Sequence, residues 1–178
     1  MVVRVVRAAL ASSLRRVVVV GGPCTDLVET LVSARTEPRL TVTVNPNPEQ
    51  GMSSSLRAGL ACLSPGASGV MVILGDQPFL TSDVIDRLIA AFRSDSDKIV
   101  VPSVMGRRSN PVLFPADLFP DLARTRGDVG GRFVLKRNAR RIVRIEVGDT
   151  YDDSDVDTPQ DLKRLTRKVR SGTEDAIS

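Results

Sequence analysis

The chain has 178 residues, of which 42% are hydrophobic and 26% charged, a composition typical of a globular protein with one substantial core. It contains no histidine, which excludes imidazole-based triads and leaves carboxylates, lysine, arginine and backbone groups to carry any reaction. The formal net charge of +4 and the aromatic content of 3% favour small anionic ligands over nucleic acid, which is usually bound by a basic face with stacking aromatics.

The apolar stretches are far shorter than the roughly 20 residues that a membrane helix needs. We therefore expect a cytoplasmic protein with no membrane partner and no signal segment. Cys24 and Cys62 lie in different segments without metal-ligand spacing, which predicts reduced thiols. The absence of a linker or repeat predicts one domain over residues 1–170, followed by a polar tail over 171–178 that is expected to fray.

Helical and strand patterns alternate along the chain. In order, they predict a helix over 1–14, strands over 17–20 and 40–44 with a helix over 25–33 between them, a rigid proline loop over 45–48, a helix from 51, a strand over 70–74, a helix over 82–93, strands over 98–104 and 141–147, and a helix over 162–169. This alternation predicts an α/β fold, a single-domain, doubly wound, mostly parallel sheet with helices on both faces.

One predicted strand ends in an acidic residue. The apolar run over 70–74 is followed by Gly75 and Asp76, and ligands of parallel α/β sheets bind at the carboxyl ends of the strands. Asp76 is therefore a candidate ligand of a metal or part of a phosphate site. An Asp close to Pro78 is also ordinary turn chemistry, so a turn residue is an equally supported interpretation.

A run of hydroxyl side chains opens the helix predicted from residue 51. Gly51 precedes Met52 and three serines, of which Ser54 and Ser55 lie in the first helical turn. The unpaired N–H groups and the positive dipole end at such a position favour a bound anion. An ordinary serine N-cap explains the same pattern.

A glycine-rich turn precedes the last predicted strand. Gly127, Asp128, Gly130 and Gly131 are followed by Arg132. Glycines at this position permit close approach of a ligand to the backbone, although a flexible helix cap has the same composition.

The acidic segment over 152–157 provides a possible partner for Asp76. Asp157 precedes Thr158 and Pro159, a capped helix start after the last predicted strand. Magnesium in nucleotide chemistry is usually held by one or two carboxylates with phosphates and water. Asp157 is therefore the candidate second ligand, with turn and cap chemistry as the alternative.

Five motifs together carry a family resemblance. NPNPEQGMSSSLRAGL, LGDQPFLTSDVIDRLI, PVLFP, GDVGGR and DVDTPQDL occur in this order, and the chain resembles the molybdenum cofactor cytidylyltransferase branch of the nucleotidyltransferases over nearly its whole length. The resemblance implies an enzyme that transfers CMP from CTP to the terminal phosphate of molybdopterin, with Mg²⁺ or Mn²⁺ as cofactor and a molybdoenzyme as the partner that accepts the product. Alternatives are an inactive remnant that binds pterin or nucleotide, and a relative that uses GTP or another nucleotide.

The resemblance also implies roles for individual residues. Asp76 and Asp157 match the catalytic, metal-binding carboxylates, and Gly51, Ser54 and Ser55 match the nucleotide-contacting helix start. The half that receives the pterin is matched by a further group of residues, namely Arg107, Asn110, Pro111, Asp128 and Arg132.

The chain departs from this family at its N-terminus. Members of the family that it resembles begin with a strand and a glycine-rich loop of the pattern LAAGxSxRMG. By comparison with such a βαβ entry, we expect roughly thirty residues of the family pattern to be absent from this sequence. Gly21-Gly22-Pro23 lacks the basic residues and is not assigned this role. Because the missing strand would lie beside the strands at 17–20 and 70–74, we expect unpaired strand edges there, unless residues 1–6 or a partner strand fill the gap.

Overall fold

The computed structural model describes residues 1–23, 37–149 and 151. The helices and strands are α1 (Val2–Ala11), β1 (Val17–Gly21), β2 (Leu40–Val44), α2 (Met52–Leu60), β3 (Gly69–Val72), α3 (Ser82–Ser94), β4 (Ile99–Val104), β5 (Arg107–Arg108), β6 (Val112–Pro115), α4 (Phe119–Ala123), α5 (Arg132–Arg137) and β7 (Ile142–Glu146). The predicted helix over 25–33, Cys24, Asp157, the predicted helix over 162–169 and the tail over 171–178 lie outside the described residues. Within the described helices, none has the length and apolarity that a membrane crossing requires.

The described strands form two sheets. β1 and β2 pair in parallel, with Val17 opposite Leu40. The second sheet has the order β3, β6, β4, and β5 and β7 also pair with β4. Helices cover the second sheet on both faces, as the clusters described below show, which confirms the predicted α/β class.

The larger sheet is mixed, with β3, β4 and β7 running in the same direction and β5 and β6 running against them. β6 runs antiparallel to both β3 and β4, and β5 runs antiparallel to β4, whereas only the pairs β1–β2 and β4–β7 are parallel. The cause is a short hairpin after β4, in which Met105 and Gly106 have φ angles of 51° and 77°. So short a connection returns the chain antiparallel to the strand that it leaves.

Two hydrophobic clusters hold these layers together. The first joins α1, β1 and α3 to one face of the larger sheet, and its buried residues include Val5, Val6, Ala9, Val17, Val19, Val84, Ile85, Leu88, Val100 and Leu113. The second packs α4 and α5 on the opposite face, through Ile99, Val101, Val112, Phe114, Leu118, Leu122, Val134 and Leu135. In the part of the chain that the structure describes, side-chain packing and not a strand ladder joins β1 to β3.

The N-terminal residues form a helix. Val5, Val6 and Ala9 are buried on one face of α1, at the spacing expected of an amphipathic helix. Residues 1–6 therefore do not add a strand between β1 and β3, and that alternative from the sequence is wrong.

Arg39 ties the end of α1 to the start of β2. Its guanidinium donates hydrogen bonds to the carbonyl oxygens of Leu10, Ser12 and Leu14, at 3.2 Å for Ser12 and 3.1 Å for Leu14. The last carbonyls of a helix have no partner within it, so Arg39 satisfies them from another element. Glu37 pairs with the same guanidinium at 3.1 Å and fixes its orientation.

Glu146 braces the hairpin that carries β5. Its carboxylate accepts hydrogen bonds from the backbone N–H groups of Met105 at 3.1 Å, Gly106 at 3.4 Å and Gly148 at 3.2 Å. Burial raises the pKa of this carboxyl, but hydrogen bonds from Ser103 and from the three backbone groups outweigh it, so the pKa lies below its ordinary value of 4.5. The ionised carboxylate therefore stabilises the folded hairpin.

We expect Glu146→Gln to lower the melting temperature in a pH-dependent way. Because the folded pKa is depressed, the stabilisation is present above about pH 4.5 and is lost as the pH falls through the lower, folded pKa. Thermal unfolding followed from about pH 7 downward should show a gap between wild type and variant that closes in acid. Glu49→Gln, on an exposed residue outside these contacts, is the matched control. A difference in melting temperature between wild type and Glu146→Gln that stays constant in acid would show that the ionised carboxylate does not stabilise the hairpin.

Candidate active site

Asp76 lies in the turn that follows β3, at the place that the strand pattern predicts. Gly75 before it packs on α1, because a Cβ added at Gly75 would lie 2.6 Å from Val2 Cγ2. After the turn, Thr81 caps α3 by accepting a hydrogen bond from the Val84 N–H at 3.3 Å. The strand before the turn, the helix after it and α1 beside it therefore fix the position of Asp76.

The Asp76 carboxylate has unmet hydrogen-bonding capacity. The side chain is half-buried, and its Oδ1 is shielded from solvent without a hydrogen-bond partner among the described residues. An Asp that served only as a turn residue would accept a hydrogen bond from nearby backbone N–H groups. A buried carboxylate oxygen without such a bond is costly, and it is the kind of donor that a hard divalent cation binds. The chemistry of this atom fits the predicted cation.

The second predicted ligand cannot be placed beside it. Asp157 lies outside the described residues. Over residues 1–23, 37–149 and 151, no group of three or more His, Cys, Asp or Glu side chains is arranged to hold a metal. The pairing of Asp76 with Asp157 stays a prediction.

The start of α2 is held by a buried asparagine. Asn45 is 2% exposed, and its Nδ2 donates to Ser54 Oγ at 2.7 Å and to Ser55 Oγ at 3.0 Å. Ser54 Oγ also lies 2.8 Å from the carbonyl oxygen of Gly51 and 3.0 Å from that of Asn47. Ser54 therefore braces the loop between β2 and α2, while Ser55 keeps its own hydroxyl hydrogen available for a ligand.

The glycine-rich turn packs on the same helix start. Asp128 Oδ1 accepts a hydrogen bond from the Met52 N–H at 3.2 Å. Gly51 has φ 83° and ψ −177°, a conformation that is essentially restricted to glycine. A Cβ at Gly51 would lie 2.5 Å from Asp128 Oδ1 and 2.7 Å from the carbonyl carbon of Gly127. The Asp128 carboxylate thus pairs with the Met52 N–H, one of the unpaired N–H groups at the positive end of the helix dipole.

This contact changes the interpretation of the serine-rich segment. Gly51 is the N-cap residue and no side-chain cap bond comes from it, so the ordinary serine N-cap inferred as an alternative is wrong. The capping oxygen comes instead from Asp128, a residue 76 positions away in the sequence.

Arg57 provides a second link between α2 and the glycine-rich turn. Its Nη1 donates to the carbonyl oxygen of Thr125 at 2.7 Å and lies 3.4 Å from Ser53 Oγ. Its Nη2 donates to Gln50 Oε1 at 3.2 Å. The guanidinium therefore joins the two loops whose residues the sequence assigned to the nucleotide half and to the acceptor half.

The remaining predicted residues lie on neighbouring elements. Arg107 is exposed on β5, and Asn110 and Pro111 lead into β6, with Asn110 half-buried and Pro111 buried. Arg132 is exposed at the first position of α5, directly after the glycine-rich turn. Of the predicted site residues, the structure brings Gly51 into contact with Asp128. Ser54 and Ser55 both accept hydrogen bonds from the Asn45 amide.

Sequence reasoning missed Asn45 and the bridging role of Arg57. Asn45 stands at the carboxyl end of β2, directly before a proline, and was interpreted only as part of a rigid surface loop. Its position at a strand end was the available signal, because side chains there face the ligand edge of an α/β sheet. No local pattern signals the Arg57 contact, which spans 68 positions.

A groove of about 530 Å³ lies elsewhere, along the C-terminal half of α2 and α4. Its lining includes Leu60, Leu63, Ala67, Phe119 and Pro120, and none of the predicted site residues contributes to it. Arg57 is the one charged residue in a lining that is otherwise mostly apolar, so the groove lacks the converging polar groups of a phosphate site.

We expect Gly51→Ala to destabilise the protein more than Gly66→Ala does. Both glycines have positive φ, 83° and 78°, but a Cβ at Gly66 would meet nothing within 4 Å, whereas a Cβ at Gly51 would meet the backbone of Gly127 and Asp128. A residue held in a sparsely populated backbone region costs about 1–3 kcal/mol, and the clash at Gly51 should add to this cost. Equal losses of melting temperature in the two variants would show that the glycine-rich turn is not packed on α2.

Comparison with known proteins identifies relatives of the chain. Residues 1–142 match the family described as the MobA-like NTP transferase domain. The purine catabolism protein PucB of Bacillus subtilis (strain 168) is 29% identical over 123 residues, which cover 68% of this chain and 58% of that protein. Nicotine blue oxidoreductase of Paenarthrobacter nicotinovorans is 31% identical over 131 residues, which cover 70% of this chain and 63% of that protein. The chain thus spans about six-tenths of the length of each relative.

A solved structure shares the fold and some of the sequence. The homologue of Mycobacterium tuberculosis Rv0371c from Mycobacterium sp. strain JC1 is 27% identical, with a TM-score of 0.76 over 96% of this chain and 83% of that chain. Together with the family match, this agreement confirms the nucleotidyltransferase-like α/β fold that the sequence motifs indicate. Since the family match extends over more than half of the sequence, the chain belongs to the MobA-like NTP transferase domain family.

Proposed function

We propose that this chain is a divalent-metal-dependent nucleotidyltransferase that transfers CMP from CTP to the terminal phosphate of molybdopterin and releases pyrophosphate. The observation that carries the proposal is the buried Asp76 Oδ1, which lacks a partner in the described part of the chain and lies directly after β3. Family membership supports the reaction class, and the five sequence motifs support CTP and the pterin.

The reaction needs positioning and charge neutralisation more than covalent help. A terminal phosphate oxygen of the acceptor attacks the α-phosphorus of CTP, the bond from that phosphorus to the bridging oxygen breaks, and pyrophosphate leaves with the electron pair. A phosphate monoester is already anionic at neutral pH, so no strong general base is required. This agrees with a chain that has no histidine, since such transfers depend on electrostatic stabilisation and alignment.

Asp76, with Asp157 as the predicted second ligand, would hold a Mg²⁺ ion, for which Mn²⁺ can substitute. The bound cation would neutralise the phosphate charge that develops during transfer.

The loop between β2 and α2 would position the nucleotide. Asn45 fixes the hydroxyls of Ser54 and Ser55, and the Asp128 contact fixes the start of α2. A rigid loop of this kind holds a substrate with little loss of entropy on binding. Arg107, Asn110, Pro111 and Arg132, on the elements around the glycine-rich turn, would receive the pterin, and a molybdoenzyme would accept the product.

We expect Asp76→Asn to reduce pyrophosphate release from CTP and molybdopterin by roughly 10²–10³-fold. The amide keeps the size of the side chain but removes the charge that binds the cation, so the fold should persist. Pyrophosphate release measured at saturating Mg²⁺, together with thermal unfolding, separates these effects. Asp83→Asn, on an exposed acid in the first turn of α3, is the matched control and should retain the wild-type rate.

Competition among nucleotides tests the base preference. CTP should give faster pyrophosphate release than GTP or ATP at equal concentration. Faster turnover of GTP would assign the chain to a different nucleotide, and undiminished turnover in Asp76→Asn would show that Asp76 is only a turn residue. Pterin binding without pyrophosphate release from any nucleotide would identify a binding protein instead of an enzyme.

A further inference from the structure

Gln77 is buried without using its side-chain amide. It follows Asp76 in the turn after β3 and is 2% exposed, yet neither Nε2 nor Oε1 has a hydrogen-bond partner among the described residues. Its backbone carbonyl accepts a hydrogen bond from the Leu80 N–H at 3.2 Å. A glutamine amide offers two N–H donors and a carbonyl acceptor. In Gln77 all of them are unpaired among the described residues.

The structure of the turn does not require this amide. The backbone of Gln77 closes the turn through Leu80, and the hydroxyl of Thr81 begins α3. An apolar side chain of the same length would fill the space without burying unpaired polar atoms. Buried polar groups of folded proteins are nearly always paired, and an exception points to a ligand, a water or strain.

The neighbouring side chain has the same property. Asp76 Oδ1 is also buried and unpaired, so two successive residues together leave three buried polar atoms without partners in the described part of the chain. The turn after β3 therefore carries a charged carboxylate oxygen from Asp76 and both an acceptor and a donor from Gln77. This combination matches a hydrated cation, whose metal centre binds a carboxylate and whose water ligands bind acceptors nearby.

We propose that Gln77 is a positioning residue of the metal site and pairs with water ligands of the cation that Asp76 binds. The inference rests on the proposed function, because it assumes a cation at Asp76. Mg²⁺ keeps several of its water ligands when it binds to a protein. Oε1 of Gln77 can accept a hydrogen bond from such a water, and Nε2 remains to donate to an anionic oxygen. Partners of this kind orient the metal ligands, and their loss typically costs 10–100-fold in metal affinity.

A merely structural glutamine and a positioning glutamine respond differently to an apolar replacement. Methionine has a similar length and no comparable polar atoms, so Gln77→Met removes the unpaired groups while keeping the packing. If Gln77 serves the metal site, the variant should melt at a higher temperature than wild type without metal and bind metal more weakly. A structural amide would be paired, and its replacement would lower the melting temperature.

The test combines thermal unfolding with Mn²⁺ binding in the presence of CTP. Free Mn²⁺ is measured by electron paramagnetic resonance during titration of wild type, Gln77→Met and Asp76→Asn. We expect Gln77→Met to raise the metal-free melting temperature and to weaken Mn²⁺ binding by roughly 10-fold or more, and Asp76→Asn to weaken it further. Arg93→Met, at an exposed residue in the last turn of α3, controls for the introduction of methionine and should produce neither effect.

The outcomes separate this inference from the proposed function. Wild-type affinity for Mn²⁺ in Gln77→Met, with binding weakened in Asp76→Asn, would overturn the role of Gln77 and leave the metal site intact. A lower melting temperature in Gln77→Met with unchanged metal binding would identify a structural residue. If wild type itself binds no Mn²⁺ with CTP, the proposed metal-dependent function fails, and the inference about Gln77 fails with it.

Discussion

Apolar packing around α1 is the interaction on which the arrangement of the two sheets depends. In the described part of the chain, no backbone ladder connects β1 to β3. Buried side chains of α1 and β1 instead pack into one cluster with Met71 and Ile73, which come from β3 and the residue after it. The hydrophobic effect that stabilises such a cluster is non-directional. Arg39, which donates to the last carbonyls of α1 from the start of β2, supplies a directional link between α1 and the smaller sheet.

The two ends of the candidate site are therefore held by different forces. The Asp76 turn rests on α1 through the contact of Gly75 with Val2, so its position is coupled to the apolar junction. The start of α2 is held by oriented bonds from Asn45 and Asp128. Oriented hydrogen bonds fix a loop more narrowly than apolar contacts do. The loop before α2 is thus held more rigidly than the Asp76 turn. A change in the packing of α1 would shift the Asp76 turn and leave the loop before α2 in place.

Local sequence signals predicted the elements, and long-range contacts decided what the sequence could not show. The strand before Asp76, the helix that follows it and the helix at the N-terminus are predicted from spacing within a few residues, and the structure confirms them. The antiparallel direction of β6 depends on the hairpin after β4, whereas its apolar run is compatible with either direction. Asp128 and Arg57 act across 76 and 68 positions, a separation at which periodicity carries no information. Asp157 stays a prediction because it lies outside the described residues.

The Asp128 contact also bears on where the nucleotide charge is neutralised. The sequence suggested that the start of α2 binds a phosphate, but one of its N–H groups already binds a carboxylate. The hydrogens of Arg57, the nearest cation in the same helix, are directed to Thr125, Ser53 and Gln50. A phosphate brought to this end would meet the like charge of Asp128, which opposes its binding. The described residues of the nucleotide half thus contribute little free positive charge, and the cation proposed at Asp76 would supply the positive charge that a triphosphate requires.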